Sequence, residues 1–312
     1  MNRRGLALVT VLWVLTLLSL IAASFSSSTR TEVKLAFNQS EAARAEALAD
    51  AGLHTAILGL LIRDPQLQWR VDGTVYGWEF GAGEIRVNVW DEGAKIDLNA
   101  APDALLQSLF VVLGETPGNA AALVDRIVDY RDPNDLRQLN GAEDRDYADA
   151  GLPYGAKDAP FEVLEELRQV LGMTPALFDA AAPALTVQAR QRTPHEPTAS
   201  RLVKAALLGA GPIGPSEGVV NGGLAEIGDG TVPVAPVAPP SLGGGAVETD
   251  LLGPERSRIN IFTIHSEART ASGAIFVREA VIELGTAGEL PYEFWAWKQG
   301  KRSLFPVAKA EE

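Results

Sequence analysis

The sequence predicts an α+β fold. A long N-terminal helix, transmembrane at its start and amphipathic beyond, packs on a small antiparallel sheet that carries a large inserted all-α domain of two repeated helical hairpins. An unbroken helical pattern fills residues 6–64, period-2 alternation marks strands in 65–96 and 256–312, and a repeated helical sequence lies between them, in 97–190. Periods of about 3.6 and 2 residues distinguish helices from strands.

Composition and charge exclude several classes of protein. The 312 residues are 46% hydrophobic and 21% charged, which is typical of a folded protein with a real core. Cysteine is absent and the three histidines are far apart, so disulfides, thiolate metal sites and paired-histidine zinc sites have no support. Residues 91–190 contain 18 Asp and Glu against 8 Lys and Arg, a net charge of −10. Such a segment repels nucleic acid and attracts a divalent cation or a basic partner.

The first helix begins with an apolar run. Residues 6–23 contain no charged side chain and would span about 27 Å as a helix, close to the thickness of a bilayer core. Arg3 and Arg4 precede the run, which leaves that end in the cytoplasm. A secretory signal cut near Ser24 would show the same features. Residues 24–62 nevertheless contain no proline and continue with helical apolar spacing, which favours one retained helix that ends before Pro65.

Strand patterns follow on both sides of the insertion. VYGWEF and EIRVNVW alternate around the turn GAG, and three further alternating stretches occupy 258–265, 274–284 and 292–298. These stretches predict one mostly antiparallel sheet on the amphipathic half of the long helix.

A repeat defines the inserted domain. Residues 101–117 and 159–175 are identical at nine of 17 positions at a constant offset of 58. Each copy has an Ala-Pro start, an amphipathic stretch, a glycine and a Thr-Pro that starts a second helix, so two helical hairpins are predicted within 97–190. The first copy also looks like a helix-hairpin-helix unit of the kind that grips DNA, but its hairpin reads GETPG and its surroundings are acidic, which argues against nucleic acid. Residues 191–255 are rich in Pro, Gly and Ala and predict a flexible segment.

An acidic loop lies between the two copies. Hard carboxylate oxygens close together suit Ca²⁺, although EF-hand spacing is absent, and a solvated acidic loop would have the same composition. Neither a nucleophile motif nor an aromatic sugar platform accompanies the carboxylates, so the sequence does not predict an enzyme. The acidic residues of this loop are Asp129, Asp132, Asp135, Glu143, Asp144, Asp146 and Asp149.

The N-terminus resembles that of the type IV pilin-like proteins. A short basic leader ending in glycine, RRG, precedes the apolar LALVTVLWVLTLL and a long helix. The resemblance implies a leader of residues 1–5, cleavage by a prepilin peptidase between Gly5 and Leu6, and methylation of the new N-terminus at Leu6. Most members carry Glu at the fifth mature position, where this chain has Thr10. That departure resembles the K-type minor pseudopilins of type II secretion, the general secretion pathway protein K family.

The acidic loop carries the resemblance further. GAED followed by Tyr147, then PY and an EL-containing helix, is similar to the inserted α domain of the K-type family, in which calcium sites occur. The resemblance implies Ca²⁺ ligands at Asp129, Asp132, Glu143 and Asp144, with Asp146 in reserve.

The same resemblance implies a structural, non-enzymatic role. The protein would be a single-pass inner-membrane protein with a cytoplasmic N-terminus and a periplasmic bulk. It would form the pseudopilus tip with the I-type and J-type minor pseudopilins, above the major pseudopilin, and would meet the secretin or the secreted cargo. Nucleic acid is not among the implied partners.

Three alternatives remain open. They are a Sec-exported periplasmic calcium-binding module, a K-like minor pilin of a type IV pilus, and a membrane-tethered DNA-uptake protein. The mature N-terminus separates the first from the others, because a secreted module would start near Ser24 or Phe25 and a pilin-like protein would start at Leu6.

Overall fold

The computed structural model describes residues 3–62, 64, 67–209, 256–285, 290–301 and 304–305; within the first helix, side chains are described for 11–21 and from 31 onward. The helices are α1 (Arg3–Leu61), α2 (Asp103–Val112), α3 (Pro117–Arg131), α4 (Asp144–Asp149), α5 (Pro175–Ala181) and α6 (Arg201–Leu207). The strands are β1 (Asp72–Phe80), β2 (Gly83–Asp91), β3 (Ile96–Asp97), β4 (Leu185–Thr186), β5 (Ile261–Thr270), β6 (Ile275–Leu284) and β7 (Tyr292–Gln299).

α1 packs its C-terminal half on the main sheet. Its buried residues recur every three or four positions and face β2, β5 and β6. Gly52 permits the close approach, because a Cβ there would lie 2.4 Å from Ser266 Oγ and 2.6 Å from Ile85 Cγ2. Arg256 is buried at the C-terminal end of α1, where its guanidinium donates to the Leu60 and Trp69 carbonyl oxygens. The buried residues of this stripe are Ala45, Ala49, Leu53, Ala56 and Leu60.

The N-terminal half of α1 makes no comparable packing. The described side chains of Val11–Ile21 are exposed. Across the described part of the chain, no helix combines the length and the apolar character that a bilayer crossing requires. The span predicted over 6–23 is described only in part, since the side chains of residues 6–10 and 22–23 lie outside the described ones, and it stays a prediction.

The main sheet is antiparallel throughout, with strand order β1-β2-β5-β6-β7. The strand patterns of the sequence therefore predicted the sheet correctly, including the return of the chain at β5 after a long insertion. β2 and β5 pair from Gly83↔Thr270 to Asp91↔Phe262, so the insertion leaves and re-enters at one end of the central strand pair. The inner face buries Ile85, Val87 and Ile264 against α1.

The first helical hairpin of the inserted domain has the predicted form. α2 and α3 pack together, Gly114 turns the chain at φ 102°, and the Thr116 side chain accepts a hydrogen bond from the Asn119 N–H at the start of α3. Leu106, Leu109 and Ile127 are fully buried between the helices.

The second hairpin differs from the prediction. Its first helix is replaced by a 3₁₀ helix, Leu164–Gln169, and only α5 is α-helical. The Glu166 carboxylate accepts hydrogen bonds from the Glu162 N–H at 3.1 Å and from Lys157 Nζ at 2.9 Å. These local bonds satisfy backbone and side-chain groups outside a regular helix. The equivalent leucines of the repeat, Leu109 and Leu167, are nonetheless both fully buried.

The inserted domain extends beyond residue 190, where the sequence predicted a flexible segment. α6 packs on α2, with Leu202, Val203 and Ala206 buried in the same core, and Ser108 Oγ donates to the Ala206 carbonyl at 2.6 Å. Residues 210–255 lie outside the described residues.

Two buried acids join the domain to the sheet. Asp91 ends β2 and accepts hydrogen bonds from Ser257 N–H at 2.7 Å, Ser257 Oγ at 2.5 Å and Thr198 Oγ1 at 3.2 Å. Glu92 accepts from Thr186 Oγ1 in the inserted domain and from Thr263 Oγ1 on β5. A buried carboxylate is stable when such donors surround it, so these contacts fix the orientation of the domain on the sheet. We refer to Asp91, Glu92 and their donors as the polar joint.

Candidate metal site in the acidic loop

The acidic loop is held between the end of α3 and the 3₁₀ helix. The Tyr130 carbonyl accepts hydrogen bonds from the Lys157 and Asp158 N–H groups, at 3.2 and 3.1 Å. Tyr147, on α4, is fully buried, and its hydroxyl accepts from the Leu171 N–H at 3.2 Å. These contacts bring Asp158, which is distant in sequence, next to the loop that follows α3.

Three carboxylates converge most closely. Asp135, Glu143 and Asp158 each offer one oxygen, and these oxygens all lie within 4.8 Å of one another. Glu143 and Asp158 are half-buried, whereas Asp135 is exposed. Only Glu143 belongs to the four ligands that the sequence implied.

Two oxygens of this group lack a protein partner. Glu143 Oε1 and Asp158 Oδ1 are buried and accept no hydrogen bond from the described residues. A buried carboxylate oxygen without a donor is costly, so both atoms suit contact with a cation.

Among the described residues, no Lys or Arg forms an ion pair with Asp135, Glu143 or Asp158. Burial raises the pKa of Glu143 to about 7, and the carboxylates of Asp129, Asp132, Asp158 and Asp135 contribute to the rise in the same direction. Burial also raises the pKa of Asp158, and the neighbouring Asp144, Asp135 and Asp132 add to that rise. Mutual repulsion of this kind disappears when a divalent cation binds.

The other predicted ligands surround this group and carry structural hydrogen bonds. Asp129 is fully buried, and its two oxygens accept from the Gln138 N–H at 3.1 and 3.2 Å. Asp132 Oδ1 accepts from Asn134, and Asp144 Oδ1 accepts from the Ala156 N–H at 3.1 Å. Burial raises the pKa of Asp129 as well, with Asp132 and Asp125 contributing. All three residues therefore shape the loop, and the structure does not place them in the closest group.

The reserve ligand Asp146 has a different role. Its Oδ2 accepts from the Glu143 N–H at 3.0 Å, and its Oδ1 pairs with Arg137 at 2.8 Å. The hydrogen bond from the Glu143 N–H lowers the pKa of Asp146, burial opposes this change, and Arg137 lowers the pKa further. Asp146 thus starts α4 and holds Glu143 in place.

Sequence reasoning missed Asp158 and did not select Asp135. Asp135 belongs to the acidic loop, but nothing in its spacing distinguishes it from its neighbours. Asp158 lies beyond the loop and comes close only through the backbone contacts at Tyr130, which no local pattern reveals. Its left-handed backbone, φ 54°, is unusual for a residue other than glycine.

The arrangement fits a hard divalent cation. It offers carboxylate oxygens alone, on a loop, with two of them buried and unpartnered among the described residues. Ca²⁺ takes six to eight oxygens at 2.3–2.6 Å, so water or the remaining acids of the loop would complete the shell.

The predicted cleavage site lies far from this loop in the sequence. Gly5, Leu6 and Thr10 fall within the helical backbone of α1, but their side chains lie outside the described ones.

The described fold is a long helix on an antiparallel sheet, with a helical domain inserted between two strands. The resemblance to pilin-like proteins with an inserted α domain predicted this architecture. Residues 87–190, which cover most of the inserted domain, match the family model described as Type II secretion system (T2SS), protein K.

Individual relatives agree with that match. The chain is 26% identical over 207 residues to a putative type II secretion system protein K of Escherichia coli strain K12, covering 60% of this chain and 63% of the relative. It is 26% identical over 229 residues to type II secretion system protein K of Klebsiella pneumoniae, covering 67% and 70%. It is 28% identical over 212 residues to the Pectobacterium carotovorum protein K, covering 58% and 62%. The predicted resemblance to the type II secretion protein K family is confirmed.

A solved structure is also similar. A chain of the crystal structure of the GspK-GspI-GspJ complex from the enterotoxigenic Escherichia coli type 2 secretion system aligns with a TM-score of 0.49 at 17% identity, covering 88% of this chain and 99% of that chain.

Proposed function

We propose that the protein is a K-type minor pseudopilin of a type II secretion system. It forms the tip of the pseudopilus with I-type and J-type partners and promotes assembly of the major pseudopilin beneath it. The observation that carries this proposal is the match of the inserted domain to protein K, residues 87–190, together with the three protein K relatives. The role is structural rather than enzymatic.

The architecture supports an end position in a filament. The insertion leaves the sheet between β2 and β5, and the polar joint fixes it there. A helical domain held at one end of the sheet adds bulk where a subunit above would have to pack. α1, by contrast, leaves the described side chains of Val11–Ile21 exposed for contact with other helices or lipid.

The proposed maturation of the protein begins with cleavage of its leader peptide. A prepilin peptidase cuts between Gly5 and Leu6, Leu6 is methylated, and residues 6–23 anchor the protein in the inner membrane with its bulk in the periplasm. N-terminal sequencing of the mature protein tests this step directly. We expect a methylated Leu6, whereas a start near Ser24 or Phe25 favours the Sec-exported module.

The tip position is tested by location and partners. The I-type and J-type minor pseudopilins of the same secretion system should co-purify with the full chain, and gold labelling should mark filament ends. Labelling spread evenly along the filament would contradict the tip position. Assembly only with type IV pilus subunits would favour the K-like minor pilin, and retention on DNA that depends on salt would favour a DNA-uptake protein.

We also propose that the acidic loop binds Ca²⁺ through Glu143, Asp135 and Asp158, with the remaining acids of the loop completing the shell or its support. The buried, unpartnered oxygens of Glu143 and Asp158 support the proposal. Calcium would neutralise the repulsion within the cluster and stabilise the loop between the two hairpins.

Calorimetry on the purified full chain tests the calcium proposal. Ca²⁺ should release or absorb measurable heat and raise the melting temperature, and Glu143→Gln should remove both effects. Asp149→Asn is the matched control, because Asp149 is exposed and pairs with Arg145, four residues earlier on the same helix. Absence of any calcium effect on the unaltered chain would refute the site.

A further inference from the structure

The free edge of the main sheet carries an unusual concentration of aromatic side chains. Within the described residues, β7 pairs with β6 alone, and most of its residues are exposed. Phe294, Trp295 and Trp297 are 37%, 38% and 40% exposed on this strand. β7 contains no proline, and its one lysine, Lys298, is engaged in ion pairs with Glu279 of β6 at 3.2 Å and with Glu165 at 3.7 Å.

The aromatics lie on both faces of the strand. Phe294 and Trp297 pair with Ile282 and Ala280, which face α1, and they form an edge-to-face pair with centroids 4.9 Å apart. His54 of α1 lies beside both rings, at 6.4 and 6.0 Å. An irregularity in the β6–β7 register leaves Trp295 without a direct partner on β6, and its ring lines a cleft toward the inserted domain.

That cleft has a volume of about 560 Å³, and Trp295, Phe161 and Val187 supply its apolar wall. Two carboxylates also line it: Asp97 accepts hydrogen bonds from the Asn99, Ala100 and Arg190 N–H groups, and Glu162 lies 3.6 Å from Lys157 Nζ. Gln188 and Arg190 add an amide and a guanidinium, neither of which has a side-chain hydrogen bond to the described residues. The volume is that of a site for a small group or a few side chains.

Arg190 is an unpaired cation in an acidic domain. Several basic side chains of the domain, such as Lys95, Arg131 and Arg168, form ion pairs, whereas Arg190 has none within the described part of the chain. Asp97, almost fully buried, accepts the Arg190 N–H at 2.8 Å and thereby holds its backbone at φ 51°. The exposed guanidinium is thus presented from a fixed point and is available to a carboxylate.

We propose that β7 is a docking strand for an extended peptide segment of a partner protein, which pairs with the free edge and places a carboxylate against Arg190. Side chains of an added strand alternate between the two faces of the sheet. A residue with a carboxylate therefore enters the cleft, and the next residue, which is apolar, lies on Phe294 and Trp297. The partner segment is acidic and apolar at adjacent positions and contains no proline at its centre.

A labelled hexapeptide, acetyl-Thr-Val-Glu-Phe-Thr-Val-amide, tests the proposal by fluorescence anisotropy with the full chain. We expect saturable binding, weakened about tenfold when the peptide Glu is replaced by Gln and by the same factor in Arg190→Gln. The two changes together should weaken binding no more than either alone, because they remove one contact. Arg192→Gln, an exposed neighbour outside the cleft, should leave binding unchanged.

Two further measurements separate edge pairing from simple charge attraction. Proline in place of the second Thr of the peptide should abolish binding, and the bound peptide should slow hydrogen exchange in β7. The Glu-to-Gln peptide tests the carboxylate contact on the unaltered protein, even if Arg190→Gln folds poorly. Absence of saturable binding up to about 1 mM peptide, or equal binding by Arg190→Gln, would overturn the proposal. The outcome of the peptide-binding assay does not depend on the proposed tip position, because N-terminal sequencing and filament labelling test that position separately.

Discussion

At the scale of single residues, close contacts decide which side chains the acidic loop tolerates. Gly141 lies against the buried Asp129, and a Cβ at Gly141 would be 1.8 Å from Asp129 Oδ2. Asp129 cannot easily move away, because it is fully buried and both of its oxygens bind the Gln138 N–H. The glycine is therefore required by the packing of the loop and is more than a turn residue.

Gly141→Ala should destabilise the protein by about 1–3 kcal/mol through overpacking. Gly118→Ala is the matched control, because Gly118 lies in α3 and a Cβ added there would have nothing within 4 Å. That change should instead stabilise by about 0.5 kcal/mol. Chemical denaturation of both variants measures the difference, and equal effects at the two positions would contradict the contact with Asp129.

Glu143 should make stability depend on pH without added metal. Its folded pKa of about 7 lies above the ordinary value of 4.5, so the folded state binds the proton more tightly than the unfolded state. The stability that this group contributes is fully present below pH 4.5 and is lost as the pH rises through 7. Melting temperatures across this pH range should therefore fall more steeply for the unaltered chain than for Glu143→Gln. Parallel curves would show that Glu143 is not the titrating group.

At the scale of elements, one arginine fastens the long helix to the sheet. Arg278 on β6 donates to Asp50 Oδ1 and Glu46 Oε1 of α1, both at 2.6 Å. Its side chain is 10% exposed and lies over the rings of Phe276 and Trp297. The guanidinium therefore joins a helix, a strand and the aromatic edge in one contact.

Arg278→Met should lower the free energy of unfolding by about 1–2 kcal/mol. The loss is limited because the methionine keeps an apolar stem in place, and because Glu46 and Asp50, which lose their partner, are exposed enough to be hydrated. Hydrogen exchange should accelerate in α1 around Glu46 and Asp50. Arg44→Met serves as the control, because Arg44 is 70% exposed and should cost little; a similar loss in both variants would contradict a special role for Arg278.

Elements with strong periodicity could be predicted from the sequence, and those set by tertiary contacts could not. The five strands of the main sheet and the first hairpin follow from alternation, caps and the Thr-Pro start of α3. The repeat identified buried positions of the second copy, but its first helix is a 3₁₀ helix in the structure, in which Glu166 accepts from the Glu162 N–H. α6 is short and follows a proline-containing stretch, so only its burial against α2 reveals it.

In the candidate metal site, too, some residues could be predicted from the sequence and others are set by tertiary contacts. The acidic loop and Glu143 could be found from composition and resemblance. Asp158 could not, since it reaches the cluster through the Tyr130 carbonyl rather than through sequence spacing. The polar joint was also missed, because Asp91 and Glu92 look like ordinary charged residues at the end of a strand until their donors from distant segments are known.

At the scale of the whole molecule, two cores meet at the polar joint. One core lies between α1 and the main sheet, and the other lies inside the inserted domain. Asp91 is 1% exposed and Glu92 is 3% exposed, and their hydrogen bonds connect β2, β5, the Ser257 segment and the inserted domain. In the proposed tip position, this connection would hold the inserted domain in one orientation on the sheet.

Asp91→Asn should weaken the joint while leaving both cores intact. The amide has one acceptor oxygen in place of two, so its NH₂ group faces the N–H and hydroxyl donors of Gly93 and Ser257, at a cost of about 1–3 kcal/mol. Because neither core loses a side chain, we expect calorimetry to resolve two transitions where the unaltered chain shows one. Asp149→Asn, an exposed change on α4, should keep a single transition. If Asp91→Asn melts in one transition at a lower temperature, the two cores unfold together through contacts other than the polar joint.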